Sequence, residues 1–240
     1  MMQKEGELGF RSLTYRIGLI YNFLNNRLYD WERRFATLAK LVEESKEDKT
    51  SLKVLDLACG TGYLARFLHP SVDYEGWDLN YSFLKQLETD WKKGRIKVKK
   101  LTIKRKNILD FSRYPLKKKD VIVLSDILHH IYPRHIEIVE HAKKCANKII
   151  ICEPTAIKPK DIEGHDWTAK ITMFLMKNLP EKLYKMIDFF LADNDGINSY
   201  ERRSAWNYNE KGLLEFFKTL EINKILRLKD ECIGIWESQN

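Results

Sequence analysis

The chain has 240 residues, 44% hydrophobic and 32% charged, enough for one domain with an apolar core and a wetted surface. No run of about eighteen apolar residues occurs, so no transmembrane helix is expected. The opening Met-Met-Gln-Lys-Glu-Gly-Glu lacks the pattern of a secretory signal. The net charge of +8 is uneven: residues 92–119 carry thirteen Lys/Arg against one acidic residue, Asp110, so this stretch is +12 and the remainder −4.

Four cysteines (Cys59, Cys145, Cys152, Cys232) are scattered, with no C-x-x-C or Cys/His cluster. No metal site is expected, and the expected compartment is the reducing cytoplasm.

Residues 12–42 read as one or two helices. Ile17, Tyr21, Leu24, Leu28, Trp31, Phe35, Leu38 and Val42 recur at spacings of three and four and predict one apolar face. The polar run 43–51 reads as a linker. Strand one is expected at 53–57, a helix at 63–68 stopped by Pro70, strand two at 73–77 and a helix at 81–91. Strand three is expected at 96–104 and strand four at 120–124, the latter a continuous apolar run that suits a central parallel strand. A helix beginning at Pro133 and strand five at 148–152 follow. Residues 155–200 break the alternation as a helical insertion, with helices at 168–176 and 180–191. A helix at 209–220 and strands at 222–228 and 231–236, joined by a hairpin at Lys229-Asp230, complete the chain.

This order predicts an α/β fold: a Rossmann-like, mostly parallel seven-stranded sheet with an antiparallel C-terminal hairpin, helices on both faces and a helical lid after strand five. Residues 1–50 are expected to pack as a helical segment on a domain formed by 51–240, with the lid at about 155–207. Ligands on such sheets bind beyond the C-terminal strand ends. Asp56, Asp78, Asn107, Ser125, Asp126, His129, His130 and Glu153 stand there.

The segment 54–62, Val-Leu-Asp-Leu-Ala-Cys-Gly-Thr-Gly, is a strand running into a small-residue turn that lets backbone N–H groups approach a ligand. Gly60 to Ala65 fits the dinucleotide pattern G-x-G-x-x-A. Asp56 opposes that reading, because a pyrophosphate would lie near its carboxylate. Together with Asp78 in Gly-Trp-Asp-Leu-Asn, Asn107 in Lys-Asn-Ile-Leu-Asp and the run 120–131, the segment resembles the class I S-adenosylmethionine-dependent methyltransferases. The likeness is nearest to the ubiquinone-methyltransferase-like and "methyltransferase domain type 11" groups. It covers residues 52–153 in good motif order and the remainder more loosely.

The resemblance implies S-adenosylmethionine as cofactor and S-adenosylhomocysteine as product. By resemblance Asp56 lies near the methionine portion, where a carboxylate favours cationic groups, Gly60 and Gly62 keep the turn clear of side chains, and Ala58 and Cys59 in that turn belong to the cofactor site. Asp78, with Leu79 beside it, would accept from both ribose hydroxyls. Asn107 would offer an acceptor to the adenine amino group, Ile108 would pack nearby, and Ser125 and Asp126 would close the site. Ala58 stands at the family's first glycine and needs only a slightly roomier backbone. Asp56 and Asp78 could instead cap helices, and Asn107 could be a turn residue.

His129 and His130 follow strand four, where the methyl group should point, and either could remove a proton from the acceptor. One could instead pack while the other shapes the pocket. The lid residues Met173, Phe174, Leu175, Met176, Tyr184, Met186, Phe189 and Phe190 suit an apolar acceptor or simple packing. Tyr15, Tyr21, Trp167, Arg202, Arg203 and Trp206 are candidate acceptor contacts. The expected function is methyl transfer to a small organic acceptor. An RNA methyltransferase using the basic 92–119 surface is the alternative, and a non-catalytic nucleotide-binding protein of the same fold is a third. Lysines at a sheet edge also deter strand aggregation, and a basic patch could draw the protein weakly to anionic membrane.

Overall fold

The computed structural model describes residues 9–28, 30–45, 51–155, 180–191, 193–206, 208–222, 224–228 and 231–238. The helix expected at 168–176, with Met173, Phe174, Leu175 and Met176, lies outside the described residues. So do Trp167, the Lys229-Asp230 turn and the Tyr184 side chain.

The sheet comprises β1 (Leu52–Leu57), β2 (Val72–Asp78), β3 (Lys100–Arg105), β4 (Lys119–Ser125), β5 (Ala146–Pro154), β6 (Lys224–Arg227) and β7 (Glu231–Glu237), in the order β3-β2-β1-β4-β5-β7-β6. The first five strands are mutually parallel, and β7 pairs antiparallel with β5 and β6. Because successive side chains alternate, each central strand feeds two cores. Val54, Val121, Val123, Ile150 and Cys152 join one face. Leu55, Leu57, Ile122, Leu124, Ile149 and Ile151 join the other.

The helices are α1 (Leu13–Arg16), α2 (Gly18–Leu28), α3 (Trp31–Glu43), α4 (Tyr81–Lys92), α5 (His135–Cys145), α6 (Glu181–Phe190), α7 (Tyr200–Ser204) and α8 (Glu210–Thr219). Asp30, Asn80 and Asn209 cap α3, α4 and α8 through side-chain oxygens that accept backbone N–H groups. Trp31, Phe35, Leu38 and Val42 of α3 pack on the first sheet face, while Leu213, Phe216 and Phe217 of α8 cover the second.

The expected N-terminal stripe holds only in its second half. The segment is three helices, and Ile17 and Leu24 are exposed. The helix expected at 63–68 is a single 3-10 turn, Leu64–Arg66, too few residues before Pro70 to propagate a helix. Strand three begins at Lys100; Ile96 and Val98 are buried before it without joining the ladder.

The basic stretch does not form one surface. Lys53, Lys100, Lys117, Lys118 and Lys119 border a groove of about 240 Å³ at the N-terminal strand ends, opposite the C-terminal ends. Glu75 of β2 binds both Lys104 and Lys119. Burial pushes the Glu75 carboxyl up, but those ammonium groups and the Trp77 indole N–H outweigh it and hold it at about 2, below the ordinary 4.5. The ionised form is therefore favoured by folding. Its contribution is complete above pH 4.5 and is lost as the pH falls towards 2. Glu75→Gln should melt at a lower temperature than the parent at neutral pH, and the gap should narrow on acidification; calorimetric melts across that window check this.

Candidate active site

The turn after β1 is built from left-handed backbone: φ is +61° at Ala58, +54° at Gly60 and +72° at Gly62. A Cβ on Gly62 would lie 2.2 Å from Leu87 Cδ1, and one on Gly76 of β2 would lie 2.8 Å from Cys59 Sγ. Glycine at both positions lets the turn lie flat against β2 and α4. Ala58 has no such freedom. Its left-handed geometry costs about 1–2 kcal/mol, more than the slightly roomier backbone expected from sequence. Asp126, after β4, is also left-handed, with φ +58°. Both strained residues face the same cavity.

That cavity, about 140 Å³, is bounded by the C-terminal ends of β1, β2 and β4, by α1 and α2, and by the 193–199 loop. Ala58, Gly60, Asp78, Leu79, Asn107, Ile108, Asp126 and His130, all singled out in the sequence, line it. Tyr15 and Tyr21 join Phe83 in an aromatic wall, with ring centroids 4.8–5.7 Å apart. A smaller cavity of about 50 Å³ shares Tyr21, Ala58, Gly60 and Asp126 and adds Asp56, Cys59 and Ser125. Trp31 and Arg34 of α3 also line it. Two buried polar atoms there, Trp31 Nε1 and Ser125 Oγ, have no hydrogen-bond partner among the described residues, so this wall offers unused donors.

Asp78 accepts the Gly60 N–H at 2.9 Å and the Asn80 N–H at 2.6 Å. Burial raises its carboxyl against these hydrogen bonds. Asp56 accepts the Tyr74 hydroxyl at 2.6 Å. Burial, opposed by Tyr74 and aided by repulsion from Asp78, lifts it to about 7, so a nearby cation would favour its ionised form. Asn107 Oδ1 already accepts the Leu109 N–H at 2.9 Å. The second lone pair of Oδ1 and the Nδ2 donor are the groups left for a ligand.

The two histidines diverge. His129 is not among the cavity-lining residues; its Nδ1 meets Glu153 Oε2 at 2.9 Å, while Glu153 Oε1 accepts the N–H groups of Ile127 and Leu128. His130 faces the cavity, with Nδ1 2.8 Å from Asp195 Oδ2 and Nε2 3.3 Å from the Tyr15 hydroxyl. The Tyr15 hydroxyl also donates to Asp193 at 3.2 Å. Burial alone would lower His130, but Asp193, Asp195 and Asp126 outweigh it and hold the ring at about 9. Arg203 is buried, pairs with Asp188 and donates to the Asn198 carbonyl. Arg202 is exposed, and Trp206 packs with His135, Tyr208 and Phe216.

Sequence reasoning missed Asp193, Asp195, Arg34, Trp31 and Phe83. The Asp-Gly turn signal in Asp193-Asn194-Asp195-Gly196 was the available clue that this part of the insertion is a loop. Among the described residues, His129, His130 and Asp193, and separately Asp126, His129 and Glu153, each bring possible ligand atoms within 4.8 Å. Hydrogen bonds to Glu153 and Asp195 already engage both histidines, and Arg34 occupies Asp126.

A family model described as "Methyltransferase domain" matches residues 30–204. The chain belongs to the methyltransferase-domain family. It is a class I S-adenosylmethionine-dependent methyltransferase domain. No curated protein sequence matches it. Among solved structures, the chain resembles the CurJ carbon methyltransferase with 14% identity and a TM-score of 0.58, over 86% of this chain and 54% of that one. It thus spans about half of that relative. It also resembles the methyltransferase domain of bacterial CtHen1-C, with 14% identity and TM-score 0.56 over 85% and 96% of the two chains. A third is magnesium protoporphyrin IX methyltransferase from Synechocystis PCC 6803 with bound S-adenosylhomocysteine, with 10% identity and TM-score 0.56 over 89% and 86%. At such identities the likeness is one of fold. Among the described residues, no helix is long and apolar enough to cross a membrane.

Arg34 joins α3 to two strands. It is 1% exposed and pairs with Asp126 and with Glu231 of β7. Arg34→Met should cost about 3–5 kcal/mol, because it leaves two carboxylates without their buried cation. Urea unfolding of the variant checks this.

Proposed function

We propose that the protein transfers the methyl group of S-adenosylmethionine to a small organic acceptor held between α1–α2 and the 193–199 loop. The supporting observation is the enclosure of one cavity by both elements. Tyr15 and Tyr21 line it from the N-terminal side, and Asp195 and Ile197 from the other. On this reading Asp78 receives the ribose hydroxyls, Leu79, Asn107 and Ile108 border the adenine, and the 58–62 turn passes under the cofactor. Asp56 favours the cofactor's cationic end, and Ser125 and Asp126 close the site beside it. His130 faces the acceptor as a ring held by Asp195, Tyr15 and Tyr21 wall the pocket, and His129 braces the turn through Glu153.

Methyl transfer is a displacement at the sulfonium carbon, so the protein's main work is alignment and exclusion of water. The aromatic wall and buried tyrosines serve that purpose. The basic groups support a small acceptor over RNA. Lys53, Lys100 and Lys117 to Lys119 border the groove at the other sheet end, and only Lys106 of the basic stretch lines the cavity. A nucleic-acid contact would give tRNA binding that weakens steeply with salt; such binding would favour the RNA reading.

Asp78→Asn keeps the side chain's shape while removing its charge. It should weaken S-adenosylhomocysteine binding by about 1.5–3 kcal/mol, as expected for hydrogen bonds to a charged acceptor. Titration calorimetry measures this. Unchanged affinity would remove Asp78 from the ribose site, and binding of NAD instead would overturn the cofactor assignment.

A further inference from the structure

We propose that the outer edge of β3 is the docking site of a partner protein, which adds an extended segment whose side chains alternate between acidic and apolar. This goes beyond methyl transfer and does not depend on it.

β3 ends the sheet, and among the described residues no strand pairs with its outer edge. Half of its backbone N–H and C=O groups therefore point away from β2, as on any edge. Parallel strands are ordinarily covered on both faces. In β3, residues 101–104 are all half-buried, and Lys100 and Arg105 are exposed. Neither face of the strand is fully covered.

Each face opens on a groove of different chemistry. Leu101, Ile103 and Arg105 line one of about 420 Å³, together with Tyr81, Leu84 and Trp91 of α4. Tyr81 is 63% exposed and Trp91 39%, so two aromatic side chains of this groove are open to solvent. Lys100 and Thr102 line the other, the groove of about 240 Å³ that also holds Lys53 and Lys117 to Lys119. Successive side chains of a strand point to opposite faces. The odd-numbered residues of β3 thus belong to the apolar groove and the even-numbered ones to the basic groove. In the basic groove five lysines meet two carboxylates, Asp73 and Glu75. Glu75 is already committed to Lys104 and Lys119. Lys53, Lys100, Lys117 and Lys118 have no ion-pair partner among the described residues.

An incoming strand carries the same alternation, so one set of its side chains falls on each face. Acidic residues on the lysine face and apolar residues on the Tyr81 and Trp91 face suit both grooves at once, while its backbone completes the edge. The six residues of β3 admit a segment of about 20 Å. Antiparallel pairing with a second copy would set lysine face beside lysine face and is disfavoured. A nucleic acid could use the lysines, but it has no row of N–H and C=O groups to complete the edge. The open aromatic side chains also stand on the face opposite those lysines.

The probe is a peptide of about eight residues that alternates Glu and Val, with an alternating Lys and Val peptide as control. Each is titrated into the full chain and followed by nitrogen-15 NMR. In about 0.15 M salt the Glu/Val peptide should shift the β3 amides and the Trp91 indole N–H, and the Lys/Val peptide should not. Methylating the peptide's backbone nitrogens at the Glu positions, or at the Val positions, removes the donors along one of its edges at a time. At least one of these two peptides should lose binding, because one edge must meet β3. The combined variant Lys100→Glu, Lys117→Glu, Lys118→Glu should bind the Glu/Val peptide about tenfold more weakly, with its other amide signals unchanged as a sign of intact folding. No cofactor enters this readout, so its failure and that of the methyltransferase reading are separate. The proposal is overturned if the Glu/Val peptide leaves β3 unshifted, if both methylated peptides bind as well as the parent peptide, or if the folded triple variant binds undiminished. Binding of tRNA through these lysines without binding of the peptide would assign the surface to nucleic acid and overturn it as well.

Discussion

The site depends on one carboxylate holding two backbone segments. Asp78, the last residue of β2, accepts N–H groups from Gly60 on one side and Asn80 on the other. It thereby fixes the glycine turn after β1 relative to the start of α4. The turn is held again where the Cys59 N–H donates to the Trp77 carbonyl at 2.9 Å. Without these bonds the left-handed backbone of residues 58–62 would have little to offset its strain. With them, the N–H groups and carboxylates at three strand ends converge on one cavity.

The N-terminal helices take their position from the same region. Asn80, which caps α4, donates to the Tyr15 carbonyl at 2.6 Å, Ser82 donates to the Arg16 carbonyl at 2.9 Å, and Thr61 donates to Asn22 at 2.7 Å. On the far side, the Ser12 N–H donates to the Asn194 carbonyl and the Gly9 N–H to that of Gly196. One short segment is therefore tied both to the elements around the glycine turn and to the loop that carries Asp195. This is why Tyr15 reaches His130, 115 residues away in sequence. Exposed Leu13, Ile17 and Leu24 follow from the same arrangement: the buried edge of these helices is given to hydrogen bonds and tyrosine rings at the cavity rather than to a continuous aliphatic stripe.

The parts legible in the sequence were those whose signal is local. Val121 to Leu124 and Ile149 to Ile151 are unbroken apolar runs because both faces of a central parallel strand are buried. Each strand-end polar residue followed from those assignments, and most of them meet at the cavity. Element boundaries were less legible. Ile96 and Val98 alternate like a strand, yet bury their side chains ahead of the ladder. Six residues before Pro70 carry a helical pattern too short to propagate. The partners of the histidines were not legible either: Asp195 is 65 residues from His130, and nothing local in the sequence marks it as a partner.

The sequence alone determined the order of strands and helices, the glycine turn and the acidic residues at the strand ends, because alternation, helical spacing and turn chemistry act over a few neighbouring residues. Only the tertiary structure decided how similar residues divide their work. His129 and His130 are adjacent in the chain, but the turn after β4 sends one to Glu153 and the other to the cavity and Asp195. Arg202 and Arg203 likewise separate into a solvent-exposed side chain and a buried ion-pair partner. That division comes from packing between distant elements, which sets burial, and burial with the nearest charge sets what an ionisable group can do.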